Sequence, residues 1–430
     1  MLSIKFIREN PKVIKEDLKK RNLSDKINLV DELLDKDERL RGLKQNIDEL
    51  RRKRNIITEE INKLKKEGKD ISNKLNQAKD IPLQIKKLEE DYAKLEERIR
   101  FILDTMPNIT HKNVPYGLNA TNNKVLRKWG EPKKNLLLMG HVELAEKLGI
   151  ADFDAGREVA GQGFNYLKDE LAVLDFALQK YAVDFLLKKG FELIVPPMML
   201  NRETLSGTVV LSDFKDVIYK IENEDLYLIG TSEHSLVSML KNKTLKKEDL
   251  PIKICAVTPC FRREIGGHGV DTKGLFRMHQ FNKVEQIIFT TAEDSFKRLE
   301  EMQKITEDFF KTLKIPFRVV EICSGDLGMK FAKQYDIEAW FPRQNEYKEV
   351  TSAGNCTDYQ AIPLNIKYSD KDEKKFMHIL NNTMVATSRA MVAILENYQE
   401  KNGSVKIPNV LHKYTGFKKI SLKSIKTKKK

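Results

Sequence analysis

The chain has 430 residues, 40% hydrophobic and 33% charged, with a formal net charge of +14. That length allows two or three domains with a large core and excludes a small stapled scaffold. No apolar run approaches the ~18 residues of a membrane span, Met1-Leu2-Ser3-Ile4-Lys5 lacks the apolar core of a secretory signal, and Cys255, Cys260, Cys323 and Cys356 form no Cys-x-x-Cys pair, so the expectation is a soluble cytoplasmic protein with reduced thiols and an acidic partner, nucleic acid first.

Residues 1 to about 24 read as a short helical lead-in, with Asn10-Pro11 setting a helix start: asparagine caps, and proline suits the first helical position. From Leu33 the pattern becomes regular. Leu40, Leu43, Ile47, Leu50, Ile57, Ile61 and Leu64 fall three and four apart, with Arg54 the charged occupant of that stripe. Glu67-Gly68-Lys69-Asp70 breaks it, and Ala78, Ile81, Ile85, Leu88, Tyr92, Leu95, Ile99 and Ile102 form a second stripe. Two stripes around a glycine turn predict an antiparallel helical hairpin over about residues 30–104, whose first helix, of about 36 residues, would reach roughly 54 Å. Pro82 predicts a kink or restart in the second stripe. Arg51 to Arg54 with Lys63, Lys65 and Lys66, interleaved with acids, suit either an ordinary coiled coil or a nucleic-acid binder.

Met106-Pro107-Asn108 ends the arm, making residues 1–110 one expected domain, and 111–165, with Pro115, Gly117, Gly130 and Pro132, reads as a linker and entry to the second domain. The core is expected over 166–412. Apolar residues from Leu167 to Lys189 have helical spacing, stopped by Gly190, and Phe191 to Pro197 is extended. Asp225 to Gly230 reads as a strand before the polar Thr231-Ser232-Glu233. Further on come a helix over about Ala292–Leu313, a strand at Phe317–Val320, paired strands at Trp340-Phe341 and Lys348–Ser352, another at Met377–Asn381, and a last helix, Val385–Tyr398, carrying Arg389. Antiparallel succession with helices gathered at the ends reads as α+β, and no Gly-x-Gly-x-x-Gly or Walker loop is present. Ten lysines and no acid lie between Lys401 and Lys430, and 413–430 reads as a lysine-rich tail.

The stretch that organises the core is Phe261-Arg262-Arg263-Glu264, joined through Gly266-Gly267-His268-Gly269 and Asp271-Thr272-Lys273-Gly274 to Arg277-Met278-His279-Gln280-Phe281 and Glu285. An arginine and a glutamate two apart on a strand share a face, which suits a nucleotide floor or, equally, a charged hairpin with a solvated loop. Context decides. With Thr231-Ser232-Glu233, Glu349-Val350-Thr351-Ser352, Asn355-Cys356-Thr357-Asp358, Leu380 to Thr383 and Leu395 to Gln399, the chain resembles the class II aminoacyl-tRNA synthetases, and within them the seryl-tRNA synthetase family. The long hairpin ahead of a catalytic domain is similar to that family's layout, so the resemblance spans nearly the full chain.

The resemblance implies an α+β fold: an antiparallel-sheet class II catalytic domain preceded by a long antiparallel coiled-coil hairpin. It implies that ATP and serine give seryl-adenylate and pyrophosphate, and that tRNA(Ser) then takes the seryl group, with tRNA(Sec) left open. Arg262 would clamp the α-phosphate and the serine carboxylate and Arg389 the γ-phosphate, a use of the planar guanidinium. Phe281 would stack on adenine and Glu264 read its amino group, with Arg263, Arg277, Val350 and Thr351 in the same ATP site. Glu349 and Ser352 would hold Mg²⁺ through oxygen ligands. Thr231, Ser232 and Glu233 would receive the serine ammonium, and Glu285, with Asn381 and Thr383, its hydroxyl. The arm would read tRNA bound across a homodimer, by shape and backbone.

The chain departs from the family in places. Asn382-Thr383 stands where glycine-serine is commoner, Ser388 where glycine is, and Ile362-Pro363 where two arginines are. Thr383 keeps the hydroxyl and adds a methyl. The zinc-using variant of the family is not expected, because Thr-x-Glu is present and the metal-ligand cysteine pattern is absent. Two rival readings remain: a synthetase-like enzyme that loads a carrier protein, against which the long arm argues, and a coiled-coil RNA-binding protein with a dead catalytic domain, against which Arg262, Glu264, Glu285, Glu349 and Arg389 argue.

Overall fold

The computed structural model describes residues 1–133, 138–210, 216–264 and 274–422. The chain divides into two units, residues 2–19 with 23–106, and Met1 and 20–22 with residues 107 onward. In the first, α1 (Ile4–Glu9) ends at Asn10 and α2 (Pro11–Lys20) begins on the proline. Helix α3 (Ile27–Lys66) runs 40 residues, about 60 Å at helical rise, and starts six residues earlier than the first regular leucine suggests. Gly68, at φ 68°, supplies the left-handed residue that closes it. The return is broken, as Pro82 predicts: α4 (Ser72–Lys79) stops at Asp80, and α5 (Ile81–Thr105) restarts with Pro82 in its first turn, where the missing N–H costs nothing.

Ile47, Ile57 and Ile61 of α3 and Ile81 and Ile85 of α5 are buried along the seam. Arg54, expected in that seam, is exposed instead, since a guanidinium gains nothing from an apolar interface without a partner. Arg51–Glu89 at 2.8 Å and Lys74–Glu60 at 2.7 Å cross the hairpin, pairs worth at most about 1 kcal/mol each at such exposure.

The second unit is built on an eight-stranded sheet. Its strands are β1 (Lys124–Trp129), β2 (Glu192–Leu193), β3 (Ile252–Phe261), β4 (Gln280–Thr290), β5 (Phe317–Glu321), β6 (Lys333–Phe341), β7 (Glu346–Asn355) and β8 (His378–Ala386), in the order β1-β5-β6-β7-β8-β4-β3-β2. All neighbours are antiparallel except β2 with β3. Helices α6 (Asp169–Leu187), α7 (Ser295–Leu313) and α8 (Thr387–Asn397) bury Leu174, Phe309 and Met391 against Val284, Ile288, Ile337 and Leu380, so they cover one face of the sheet rather than its ends. The last helix begins two residues later than expected because β8 continues to Ala386.

One expected boundary shifts. Residues 111–165, the linker and entry to the second domain, supply β1, which pairs with β5 at the sheet edge. Residues 413–420, taken with the lysine-rich tail, fold: His412–Thr415 is helical, and Lys419–Ile420 pairs with Val405–Lys406. Ile420 is fully buried, and Lys406 and Lys419 both bridge Glu400, which turns a basic run into part of the core's rim. Residues 423–430 lie outside the described residues, as do 265–273, which hold most of the expected glycine loop.

Candidate active site

The face of the sheet away from the helices carries a cavity of about 420 Å³. Strand alternation builds its floor. On β4, Val284 and Ile288 enter the core, and Gln286 donates to Thr306 Oγ1 at 2.8 Å, while Phe281, Lys283 and Glu285 line the cavity. On β8, Asn382 donates to Met302 O and Thr306 Oγ1 on the helix side, while Asn381 and Thr383 line the cavity. Thr383 stands directly across from Glu285.

Glu349 and Ser352 are three apart and could not share a face of a regular strand. The register slips here: Ile337 pairs with Thr351 but Glu338 with Glu349, leaving Val350 as an extra, bulged residue. Both Glu349 and Ser352 thereby reach the cavity. Arg262 and Glu264 also reach it, though not by alternation, because β3 ends at Phe261. The chain beyond is held by Arg262 N donating to His279 O and Arg263 N to Val217 O, each at 2.9 Å.

One end of the cavity is rich in buried charge. Glu285 is 1% exposed; Lys283 Nζ lies 2.6 Å from its Oε2, and Thr383 Oγ1 donates to the same oxygen at 3.3 Å. Burial pushes this carboxyl up, and the Lys283 ammonium opposes the shift. Glu233 sits at the start of a helix, Ser232–Ser238, capped by Thr231, whose Oγ1 accepts from Glu233 N at 3.2 Å. Burial would raise Glu233, but Lys330 Nζ at 2.5 Å and the neighbouring His234 leave it below the usual carboxylate range. Gln360 Nε2 donates to the same Oε1 at 2.7 Å. His234 is buried and held neutral, its pKa pushed down to about 3.

The other end carries cations and rings. Arg262 Nε donates to Gly230 O at 3.0 Å, fixing the guanidinium plane, which lies 5.4 Å from the Phe281 ring centre. Arg277 Nε is 3.5 Å from Glu264 Oε2. Arg389 Nη1 donates to Glu349 O at 3.0 Å and Oε1 at 3.2 Å, and Arg389 and Lys348 both sit over Phe276, at 5.1 and 5.2 Å. Behind Ser352, Gln334 Nε2 donates to Ser352 Oγ and to Asp336 Oδ1, each at 3.1 Å. Burial first and the Glu349 charge second push Asp336 well above the usual range. Glu349 and Ser352 offer hard oxygen donors, a carboxylate and a hydroxyl, and a partial set of that kind fits Mg²⁺ completed by phosphate oxygens and water.

Of the expected site residues, Thr231, Glu233, Arg262, Glu264, Arg277, Phe281, Glu285, Glu349 to Ser352, Asn381, Thr383 and Arg389 all line this cavity. Ser232 and Arg263 do not: Ser232 is fully buried, and Arg263, whose backbone N donates to Val217 O, is not among the lining residues. Among the lining residues that the sequence did not assign to the site are Phe276, Lys283 and Lys330, and Ser388, noted only as a departure from the family, lines it too. Lys283 had a signal, being two residues before Glu285 on one strand; Lys330, in an irregular loop, had none.

An antiparallel sheet with helices on one face and, on the other, a cavity pairing arginine forks with an oxygen-donor site is the core of a class II aminoacyl-tRNA synthetase. The profile of the "tRNA synthetase class II core domain (G, H, P, S and T)" matches residues 217–398, and that of the "Seryl-tRNA synthetase N-terminal domain" matches residues 1–110. The serine–tRNA ligase of Methanocella arvoryzae is 49% identical over 96% of this chain and 98% of its own, and that of Pyrococcus horikoshii is 45% identical over 98% and 97%. The crystal structure of the Pyrococcus horikoshii seryl-tRNA synthetase complexed with ATP matches 99% of this chain and 100% of its own, with a TM-score of 0.88 at 44% identity. The cytoplasmic serine–tRNA ligase of Naegleria fowleri in complex with AMP gives 0.83 at 36% identity, over 99% of each chain. The chain belongs to the seryl-tRNA synthetase family.

Proposed function

We infer that this protein is a serine–tRNA ligase, which activates L-serine with ATP and transfers it to the 3′ end of tRNA(Ser). The observation that carries the reading is the buried Glu285, facing Thr383 and sharing one cavity with Arg262, Glu349 and Arg389. In the first step a serine carboxylate oxygen attacks the α-phosphorus and pyrophosphate leaves. In the second the terminal tRNA hydroxyl attacks the seryl carbonyl and AMP leaves. Neither step needs much acid–base work; both need alignment and neutralised charge.

Arg262 clamps the serine carboxylate to the α-phosphate, and the Gly230 carbonyl holds its plane for that task. Adenine stacks on Phe281, with Glu264, steadied by Arg277, taking its amino group. Arg389 exchanges the Glu349 carboxylate for the γ-phosphate. Glu349 and Ser352 would hold Mg²⁺, which would supply charge neutralisation along the phosphates. Glu233 and Thr231 receive the ammonium, and Glu285 with Thr383 and Asn381 the hydroxyl. Alanine is rejected because those buried groups would stay unpaired, and threonine by the steric limit of the pocket.

The exposed Arg52, Lys53, Lys63, Lys65 and Lys66 on the arm suit a phosphate backbone. Exposed apolar side chains, Phe176 at 69% and Val195 at 86% among them, suit burial in a homodimer interface. Its place is the cytoplasm, in keeping with four free cysteines. The test is charging of tRNA(Ser) with radiolabelled serine. The reading expects label in acid-precipitable RNA; adenylate without transfer to RNA would favour the carrier-protein enzyme, and no adenylate at all a dead domain.

A further inference from the structure

The carboxylate assigned to the substrate's α-ammonium is already engaged. Glu233 is 3% exposed, and its Oε1 takes Lys330 Nζ at 2.5 Å and Gln360 Nε2 at 2.7 Å. Lys330 comes from the loop between β5 and β6, where its carbonyl is fixed by Asn108 Nδ2 at 3.0 Å. Nearby, Lys283 holds Glu285 at 2.6 Å. Two buried carboxylates therefore face two ammonium groups of the protein's own. A third ammonium placed on Glu233 with Lys330 unmoved would set two cations against one carboxylate, where low polarity makes like charges repel strongly. Lys330 has somewhere to go: a second cavity of about 270 Å³, lined by Lys330 itself with Thr208, His234, Gly328 and Phe331, adjoins the first.

We propose that Lys330 takes the place of the substrate's α-ammonium on Glu233 and is displaced when the amino acid binds, which makes it a specificity- and affinity-setting residue. This rests on the reading of the cavity as a serine pocket. The pairing keeps a buried glutamate compensated between turnovers, and it sets a competition that weakens serine binding. An analogue with serine's carboxylate and hydroxyl but no amine, 3-hydroxypropionate, fits with Lys330 left in place.

Two measurements on the full-length protein test this. In the wild type, 3-hydroxypropionate inhibits attachment of labelled serine to tRNA, with an inhibition constant within about tenfold of the serine KM. In Lys330→Met, with Lys330→Gln as the conservative companion, the serine KM falls by at least about tenfold while that for ATP is unchanged, since the ammonium now relieves an uncompensated buried charge. In the same variants 3-hydroxypropionate loses at least about tenfold in potency, and the melting temperature of the free protein drops and is recovered by serine. A raised or unchanged serine KM, or a wild type indifferent to 3-hydroxypropionate at a hundred times the serine KM, overturns the proposal; if neither variant folds, the wild-type inhibition decides alone. A wild type that activates no serine would instead remove the serine reading itself.

Discussion

Glu285→Gln removes one charge and keeps the shape of the side chain. Glu285 is 1% exposed, 2.6 Å from Lys283 Nζ and 3.3 Å from Thr383 Oγ1, so the change falls on a largely desolvated network. A hydrogen bond from a hydroxyl to a charged acceptor contributes about 1.5–3 kcal/mol, so kcat/KM for serine should fall roughly 10- to 150-fold. Alanine makes no such bond, so its rate should hold, and serine-over-alanine discrimination should shrink by the same factor. The Lys283 ammonium keeps only a neutral partner, and unfolding stability should fall by up to about 3–5 kcal/mol, the range for breaking a buried pair. Pyrophosphate exchange with each amino acid at saturating ATP, beside a urea melt, reads both numbers. Discrimination that survives, or an alanine rate that falls in step with serine, would refute the assignment of Glu285 to the substrate hydroxyl.

Arg262→Ala should cut adenylation by about three orders of magnitude with the circular dichroism spectrum unchanged, because the clamp acts on both reactants at once; near-normal exchange would remove that role. Glu349→Gln should raise the Mg²⁺ concentration needed for half-maximal exchange, and a chelator should abolish exchange in the wild type. Excising residues 47–90 and joining the helices with a short loop should spare exchange and cripple charging; equal loss of both would mean the arm supports folding. His234 is neutral in the fold, with a pKa of about 3 against an ordinary 6.5. The unfolded chain therefore binds the extra proton between those values, and stability contributed by His234 is present above pH 6.5 and lost as the pH falls. By pH 4.5 the loss is roughly 2–3 kcal/mol, and chemical unfolding of His234→Gln at pH 7.5 and 4.5 should show a pH dependence smaller by that amount.

The arm was legible because two helical stripes and a glycine turn leave few alternatives, and even the restart at Pro82 follows from the missing N–H. The pocket residues were legible as motifs, but the reason they meet was not. Glu349 and Ser352 share a cavity only because Val350 is bulged, and a bulge is set by cross-strand register that one strand's sequence does not carry. Arg262 and Glu264 converge past the end of a strand, held by His279 and Val217 from distant segments. Arg54 misled because an apolar stripe says which face is buried but not how far apart the helices lie at each turn. Residues 413–420 misled because lysine density hid Phe417 and Ile420, which pack against the core. Lys330 was invisible because a salt bridge across 97 positions has no local signature.

Serine-dependent ATP–pyrophosphate exchange by the purified protein, run in parallel with alanine and threonine, is the most direct test of whether the cavity joins one triphosphate to one small hydroxylated amino acid. The account predicts rapid exchange with serine, exchange with alanine lower by orders of magnitude, and little with threonine. Exchange that is absent with serine, or equal for serine and alanine, would contradict it.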